Sequence, residues 1–331
     1  HRARSNNSVL LNRKETTFEE FSNIFEVTKN FGEPNYVFAN DEKANFNPCQ
    51  PSWAKLLTPL GIKQLKDISI GDKIWSKEGW TNVTNKWSTG TKKVYCYRTV
   101  AGCFYGTEDH KLVSNGEKIE AQHCNSVDSL PGNYETNEVI INPQDIMDGL
   151  VLGNGSCHKV SKYAALVETT ITPKELSKTH ERIISDRFYY GNRSKVAGFL
   201  RGLYSANGSI CGGRITLKAS SFRLIEQVQT MLSSVGIKSC YTTNRPGLVK
   251  LNNGEYLCKQ GYDLNITDNE NKTRFFSLIG FIQEYKNRRL TRTMNNSRYA
   301  TLNSKLSYDV VSVDLISEEE VFDIAVDNNG N

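Results

Sequence analysis

The sequence predicts a multi-domain protein in which an all-β domain is split by an inserted α+β domain and preceded by a short α/β stretch. Short apolar segments alternate with glycine-containing turns after Cys49, and helical periodicity replaces this pattern near residue 143. A strand-like pattern returns near the end of the chain. We therefore predict four segments, with the boundaries 1–48, 49–142, 143–306 and 307–331.

The composition is that of a chain able to form several hydrophobic cores. The 331 residues are 38% hydrophobic, which suffices for two or three domains. The net charge of +5 is compatible with a nucleic-acid partner without indicating one. No apolar run is long enough to span a membrane, and eight cysteines without a Cys-x-x-Cys pair predict free thiols. We therefore expect a cytoplasmic location without membrane association.

The first segment combines a helix with a strand. Thr17 and Glu20 form a capping-box pattern, which predicts that a helix begins between them. Tyr36–Ala39 is predicted to be a strand. These elements alone bury too little apolar surface to be stable, so we expect them to belong to a larger domain. The predicted apolar face of the helix consists of Phe18, Phe21, Ile24 and Phe25.

The second segment has the turn pattern of a compact all-β domain. Asn115-Gly116 is a strong hairpin signal, and further glycine turns recur along the segment. This pattern predicts a series of short strands. All four tryptophans of the chain lie here, at Trp53, Trp75, Trp80 and Trp87.

Two apolar stretches of the third segment, residues 146–155 and 199–208, resemble each other. Each places small residues four positions apart and therefore on one helix face, so we predict two helices that pack backbone to backbone. A strand at Ile215–Lys218 and an amphipathic helix at Arg223–Val235 are predicted to follow. The small residues are Gly149 and Gly153 in the first stretch and Gly202 and Ala206 in the second.

Three motifs, taken in order, resemble the conserved blocks of an intein. They are Cys49 with the turn signals behind it, the sequence Thr107-Glu108-Asp109-His110, and a terminal strand that contains Asp323. The resemblance implies the all-β Hint fold, which inteins share with hedgehog proteins. It further implies autocatalytic protein splicing without a cofactor, by a domain that is expected to be a monomer.

The resemblance to inteins also implies a role for each of these residues. The Cys49 thiol would attack the carbonyl of Pro48 and convert that peptide bond to a thioester. Thr107 would hold the scissile amide, His110 would donate to the Cys49 nitrogen, and Asp323 would assist the acyl transfers. Taken singly, Cys49 could be a cysteine of the interrupted protein, His110 a structural histidine and Asp323 a turn carboxylate.

The ends of the chain differ from those of a complete precursor. The first residue, His1, indicates a fragment. An intein ends in His-Asn followed by Cys, Ser or Thr, whereas this chain ends in Asp327-Asn328-Asn329-Gly330-Asn331. We therefore expect the downstream remainder of the same precursor to be a partner, and this chain to form the thioester without completing splicing.

The two similar helices resemble the paired motifs of LAGLIDADG homing endonucleases, which inteins often contain at this position. The resemblance implies αββαββα half-domains and double-stranded DNA as a partner. Cleavage in that family takes an acidic residue at the foot of each motif helix, which holds Mg²⁺. Asn154 and Asn207 occupy those positions here, so we expect a degenerate nuclease, with Mg²⁺ required only if it is active. Asp148 lies more than one turn before Asn154 and is expected to point elsewhere.

Basic residues of the third segment are the predicted DNA contacts, because cations on such strands and helices bind phosphates. Lys218, on the strand after the second motif, is predicted to belong to the same endonuclease site as the two motif asparagines. The alternative for the basic run at 285–299 is a solvated helix. The other predicted contacts are Arg214, Lys286, Arg288, Arg289 and Arg292.

The first segment resembles part of the catalytic barrel of a ribonucleotide reductase, most closely the cobalamin-dependent class. The resemblance rests on Arg4-Ser5-Asn6-Asn7-Ser8 and on Asn47-Pro48-Cys49. It implies that Asn47 handles the ribose and that the spliced host uses adenosylcobalamin. In that family a Glu follows the motif two residues later, whereas Ser52 and Trp53 follow here, which indicates an interruption at Cys49.

Three other functions fit parts of the sequence. The chain could be a working DNA endonuclease in which the Hint part is incidental. It could be a reductase with a long insertion that is never excised, or a Hint-type processing domain that cleaves without ligating. DNA cutting, accumulation of full-length precursor and the downstream sequence would distinguish these three functions, respectively.

Overall fold

The chain, described here from a computed structural model, separates into two compact units, residues 1–47 and residues 48–330. Asn47 and Pro48, which precede the predicted nucleophile, lie outside the described residues. The structure describes residues 8–12, 15–31, 35–39, 49–76, 79–129, 139–154, 169–176, 178–244, 246–251, 254–295 and 306–327.

The first unit is a β-α-β arrangement of β1 (Ser8–Asn12), α1 (Phe18–Phe31) and β2 (Asn35–Ala39), in which the two strands are parallel. The predicted capping box is confirmed, because the Thr17 amide donates to Glu20 Oε2 at 2.9 Å and the Glu20 amide donates to Thr17 Oγ1 at 3.2 Å. The predicted apolar face is only partly covered. Phe21 packs against Tyr36, whereas Phe18 is 84% exposed.

The second unit begins with a series of short strands and one long strand, as the glycine turns predict. In chain order they are β3 (Gln50–Pro51), β4 (Lys55–Thr58), β5 (Gly61–Gln64), β6 (Lys73–Ser76), β7 (Gly79–Thr99), β8 (Gly102–Gly106), β9 (Lys111–Ser114), β10 (Glu117–Glu120) and β11 (Ser126–Asp128).

A mixed helical and β region follows, and the chain then returns as one long strand. The elements are α2 (Pro143–Asn154), α3 (Asp186–Tyr189), α4 (Arg193–Asn207), β12 (Gly208–Cys211), β13 (Arg214–Ala219), α5 (Phe222–Ser234), β14 (Cys240–Thr243), β15 (Gly247–Leu251), β16 (Gly254–Cys258), β17 (Tyr262–Ile266), α6 (Asn269–Leu278), α7 (Glu284–Met294) and β18 (Ser307–Val326). No helix among the described residues is both long and apolar enough to cross a membrane.

The long strands β7 and β18 join the two ends of the second unit. They pair antiparallel along most of their length, with irregularities in register at four places. β18 also pairs with β3, where Phe322 lies opposite Gln50. Because β3 begins one residue after Cys49, the end of the chain is brought beside that cysteine.

The predicted close approach of the two similar helices is confirmed. A Cβ atom on Gly149 of α2 would lie 1.9 Å from the Phe199 carbonyl oxygen of α4, and one on Gly202 would lie 1.9 Å from the Ile146 carbonyl oxygen. Real Cβ atoms do not approach oxygen so closely, so only glycine allows this helix pair. The pair contributes to the largest hydrophobic core of the described residues.

The predicted αββαββα arrangement is found after α4. Helix α4 leads into a four-stranded sheet of order β12-β13-β17-β14, with α5 and α6 completing the pattern. Between α2 and α4, residues 169–176 and 178–192 contain no strand. The stretch that begins with the first motif helix and ends before α4 spans residues 143–192, which is shorter than the span 193–278 that begins with the second.

The two parts of the second unit contact each other directly. Arg98 of β7 forms an ion pair with Glu226 of α5 and stacks over the Phe222 ring at 4.9 Å. The turn after β7 accepts two hydrogen bonds at the Val100 carbonyl, from the Tyr241 amide at 2.9 Å and Gln229 Nε2 at 3.1 Å. The strand β7 therefore contacts the inserted part at one end and Cys49 further along.

Candidate functional sites around Cys49 and at the ends of helices α2 and α4

Cys49 lies immediately before β3 and is held in an unusual backbone conformation. Its side chain is 3% exposed and packs against Val94 and Val321. Its φ angle is +38°, which a non-glycine residue rarely adopts. Among the described non-glycine residues only Asn115 shares a positive φ, and Asn tolerates it in a turn. Backbone strain therefore accumulates at the predicted nucleophile.

The turn after β8 is attached to Cys49 through its backbone. The Thr107 amide donates to the Cys49 carbonyl oxygen at 3.2 Å. Gly106 permits this approach, because a Cβ atom there would lie 3.3 Å from that oxygen and 2.5 Å from the Phe104 ring. The structure therefore places the predicted residues Thr107 and His110 on a turn beside Cys49.

The Thr107 hydroxyl and the His110 imidazole are both polar groups in a buried environment. The Thr107 hydroxyl is buried and has no hydrogen-bond partner among the described residues, an arrangement that costs about 1–3 kcal/mol. The His110 ring lies against the Phe104 ring, with 4.5 Å between centroids. Burial lowers the pKa of His110 to about 4, so the ring is neutral at neutral pH. A neutral imidazole offers one N–H donor and one acceptor nitrogen.

Asp323 reaches the same region from the far end of the chain. It lies on β18 opposite Trp87, two residues after Val321, which packs on Cys49. Its Oδ1 accepts a hydrogen bond from the Ile324 amide at 2.8 Å. Burial raises the pKa of Asp323 to about 7, so this carboxyl group can gain or lose a proton near neutral pH.

The sequence interpretation missed the polar groups that contact the Cys49 sulfur. Thr89 Oγ1 lies 2.7 Å and Lys92 Nζ 3.3 Å from Cys49 Sγ, and Lys92 Nζ also lies 3.5 Å from Asp109 Oδ2. Burial raises the pKa of the Cys49 thiol, and the contacts with Thr89 and Lys92 oppose that shift. The available signal was Gly90, because a glycine inside a strand pattern indicates a bulge that redirects its neighbours.

The ends of α2 and α4 form a second candidate site. Asn154, Asn207 and Lys218 line a groove of about 750 Å³ together with Arg182 and Asp263. The Lys218 ammonium is exposed and lies 3.7 Å from Asp263 Oδ2. The structure therefore brings the three predicted motif positions together.

The residues of this groove do not fit Mg²⁺. The Asn207 amide donates to the Gly153 carbonyl at 3.0 Å, and Arg182 Nη1 donates to the Leu152 carbonyl at 3.0 Å. The carbonyl oxygens of Leu152 and Gly153 thus accept from protein donors, and the carboxylate that lines the groove, Asp263, lies beside the Lys218 ammonium. Mg²⁺ prefers carboxylates and water. Within the described part of the chain no group of three or more His, Cys, Asp or Glu side chains could hold a metal ion.

Asp148 of α2 does not contribute a carboxylate to this groove. It is 1% exposed, and its carboxylate accepts hydrogen bonds from the Thr170 amide at 2.6 Å and the Thr169 hydroxyl at 2.8 Å. The expectation that it points away from the groove is confirmed, since it is not among the residues that line the groove. Its carboxylate fixes the chain after α2 instead.

The predicted DNA contacts fall into two groups. Lys286 differs from the expectation, because its ammonium donates to the Ser205 carbonyl at 2.9 Å and the Gly208 carbonyl at 2.8 Å and so satisfies the end of α4. Burial lowers the pKa of Lys286. The four arginines are exposed, and none of them lines the groove; they are Arg214, Arg288, Arg289 and Arg292.

Comparison with known proteins gives one family match. Residues 194–280, from the start of α4 to just after α6, match the LAGLIDADG-like domain family. No curated protein sequence matches the chain.

Similar solved structures include the gp41-1 intein and a variant of it with three substitutions, each at 21% identity with a TM-score of 0.21. Each match covers 22% of this chain and 59% of the intein chain, so this chain spans about three fifths of those inteins. A TM-score this low does not establish a shared fold. The interpretation of the β-rich part therefore depends on the geometry around Cys49.

Proposed function

We propose that residues 49 onward form a self-splicing element of the intein type, in which Cys49 is the nucleophile. The main support is the convergence on this cysteine of the turn Thr107–His110 and the strand that contains Asp323, which are far apart in the sequence. A structural cysteine needs neither a positive φ nor a buried hydroxyl without a partner beside it. These features cost stability, and such costs concentrate at functional sites.

The first step of the proposed reaction moves an acyl group from nitrogen to sulfur. Cys49 Sγ attacks the carbonyl carbon of Pro48, the C–N bond to Cys49 breaks, and a thioester forms. The proton lost by the thiol is gained by the Cys49 nitrogen. The free Thr107 hydroxyl and the N–H of neutral His110 serve as hydrogen-bond donors, and Asp323, with a pKa of about 7, exchanges the proton.

We further propose that the first unit is the upstream part of a host protein similar to a cobalamin-dependent ribonucleotide reductase. Its parallel β-α-β arrangement is one that α/β barrels repeat, and the apolar face of α1 is largely uncovered in this unit. The downstream part of the same precursor would supply the acceptor for the acyl group.

The test is intact mass spectrometry of the 331-residue chain with and without dithiothreitol, beside the variant Cys49→Ala. A thioester at Cys49 is cleaved by an external thiol, so the wild-type chain should give fragments that end at Pro48 and begin at Cys49. Cys49→Ala should give none. Cys103→Ala, at an exposed cysteine, is the matched control and should be cleaved like the wild type. A wild-type chain that stays intact contradicts the proposal.

We also propose that the inserted domain binds double-stranded DNA without metal-dependent cleavage. The LAGLIDADG-like match and the exposed arginines support binding, and the neutral helix ends disfavour Mg²⁺. The test compares Arg289→Gln with Lys286→Met in binding to duplex DNA at several salt concentrations. Arg289→Gln should reduce the slope of the logarithm of the binding constant against the logarithm of the salt concentration by about one. Lys286→Met should change thermal stability instead, since its ammonium contacts carbonyl oxygens of the protein.

A further inference from the structure

Lys92 is the charged side chain that contacts the sulfur of Cys49. Its Nζ lies 3.3 Å from Sγ. Glu319, which pairs with Lys92 across the β7–β18 ladder, accepts from Trp53 Nε1 at 3.1 Å. On the same strand, the positive charge of Lys92 opposes the rise in the pKa of Asp323. The side chain is half-buried, so solvent screens the contact only in part.

The charged and titratable groups around the sulfur come from four elements. β7 contributes Lys92, β8 contributes Tyr105, the turn after β8 contributes Asp109 and His110, and β18 contributes Asp323. Asp109 Oδ2 lies 3.5 Å from Lys92 Nζ, and Asp109 Oδ1 is buried with no hydrogen-bond partner among the described residues. His110 is neutral because of its burial. Lys92 is therefore the cation available to a thiolate in this set.

We propose that Lys92 is a catalytic residue of the acyl shift, in which its ammonium stabilises the Cys49 sulfur as a thiolate during attack. This proposal rests on the proposed splicing function. The C–S bond forms, the C–N bond breaks, and the thiol proton ends on the Cys49 nitrogen. Lys92 keeps its own proton throughout. The negative charge of Asp109, whose Oδ2 lies 3.5 Å from Lys92 Nζ, opposes this stabilisation of the thiolate.

Physical chemistry gives the reason for a cation here. Transfer of a thiolate from water into a buried site is unfavourable, and burial is the largest influence on this thiol. Without a compensating charge, a sulfur that is 3% exposed would be protonated and a poor nucleophile. The Lys92 pKa is raised: burial lowers it, but the neighbouring Cys49 and Asp109 raise it by more, so the ammonium persists at neutral pH.

The experiment measures dithiothreitol-induced cleavage of the full chain across a pH series, for wild type, Lys92→Met, Lys92→Arg and Asp109→Asn. Lys92→Met should slow cleavage at neutral pH by about tenfold or more and move the rising limb of the rate profile up by about one pH unit. Lys92→Arg should retain most of the rate. Asp109→Asn should move the limb to lower pH, because a negative charge is removed.

The matched control is Lys93→Met, at the adjacent exposed lysine, which should leave the profile unchanged. If Lys92 had only a structural role, both Lys92→Met and Asp109→Asn would be cleaved more slowly. Their rate profiles would not move in opposite directions along the pH axis. The proposal is overturned if Lys92→Met keeps the wild-type rate and profile while Cys49→Ala stays uncleaved, an outcome that leaves the splicing function intact.

A second measurement is independent of cleavage. The ¹³Cβ resonance of Cys49, identified by its absence in Cys49→Ala, reports the ionisation of the thiol. Lys92→Met should raise the midpoint of this titration relative to wild type, and Lys92→Arg should restore it. An unchanged midpoint overturns the role of Lys92, whether or not the wild-type chain is cleaved. A wild-type chain that is never cleaved counts against the splicing function alone.

Discussion

The surroundings of Cys49 and the groove at the ends of α2 and α4 are both polar, but their polar groups are used in opposite ways. Beside Cys49, the buried Thr107 hydroxyl has no partner among the described residues. In the groove, the Asn207 amide and the Arg182 guanidinium donate to carbonyl oxygens of α2. The first arrangement leaves a hydroxyl for a reacting group, whereas in the second Asn207 Nδ2 and Arg182 Nη1 bind carbonyl oxygens of the protein.

This difference shows that the partners of a side chain say more about function than its chemical type. Buried polar groups are normally paired, so an unpaired one indicates a missing partner. Arg182 would be a plausible phosphate contact by type, yet it is 7% exposed and completes a helix end. Thr107 would be an ordinary buried threonine by type, yet its hydroxyl is available.

The prediction with the largest effect concerns Thr107→Val. The loss of a donor that acts in the transition state should slow thiol-induced cleavage by about 10²-fold. The variant should not lose stability, because the hydroxyl it removes is unsatisfied in the folded protein. Cleavage rates from intact mass, together with urea unfolding, check both expectations.

Thr58→Val is the matched control for Thr107→Val. Both threonines are 3% exposed, but the Thr58 hydroxyl donates to the Gly61 carbonyl at 2.8 Å. Its removal should cost about 1 kcal/mol of stability and leave the cleavage rate unchanged. If Thr107→Val instead loses stability and keeps its rate, the hydroxyl is structural and the contrast between the two sites fails.

The second prediction concerns the helix pair that supports the groove. Gly202→Ala should destabilise the protein by about 3 kcal/mol, because the new Cβ atom would lie 1.9 Å from the Ile146 carbonyl oxygen. Gly247→Ala, where no atom lies within 4 Å, should be close to neutral. Free energies of unfolding in urea measure both effects. Equal stabilities for the two variants would show that α2 and α4 do not pack as described.

Local signals in the sequence predicted much of the fold. The capping box at Thr17 and the glycine spacing in α2 and α4 depend on contacts within one turn or on one helix face, which a single stretch of sequence specifies. The spacing of the small residues within each of the two stretches predicted the packing of α2 against α4.

Two contacts between distant stretches were not predicted. Lys92 and Thr89 contact Cys49 because β7 changes register with β18 near Gly90, whose φ is +89°, and this redirects both side chains. Lys286 looked like part of a basic DNA-binding run, yet the carbonyl ends of α4 lie within its reach. In both cases the lysine ammonium contacts atoms that are distant in the sequence, so the local sequence pattern does not specify its partner.

The third prediction uses the pKa of Asp323, which burial raises to about 7 from an ordinary value of 3.8. Between these pH values the folded state binds more protons than the unfolded state, so this residue lowers stability as pH rises. The free energy of unfolding of Asp323→Asn minus that of wild type should therefore increase from about pH 4 to about pH 7, by about 3 kcal/mol.

Urea unfolding of both proteins at matched pH values measures this difference. His110 acts with the opposite sign, because its lowered pKa of about 4 makes stability rise with pH over the same range. Its contribution cancels when variant and wild type are compared at each pH. A difference that stays level or falls with pH would mean that Asp323 is ionised in the folded protein and does not exchange the proton.

The smallest expected effect separates the groove from a metal site. Magnesium should not change the thermal stability of the wild-type protein, since Asn154 and Asn207 provide no carboxylate. The double variant Asn154→Asp/Asn207→Asp should be stabilised by Mg²⁺, but by less than about 1 kcal/mol, because Arg182 still occupies the Leu152 carbonyl. Asn295→Asp, an exposed asparagine at the end of α7, controls for the cost of an acid at a helix C-terminus. Stabilisation of the wild type by Mg²⁺ would show that the groove binds metal with the residues it has. The groove and the surroundings of Cys49 would then both be sites for a bound group, and they would differ only in what they bind.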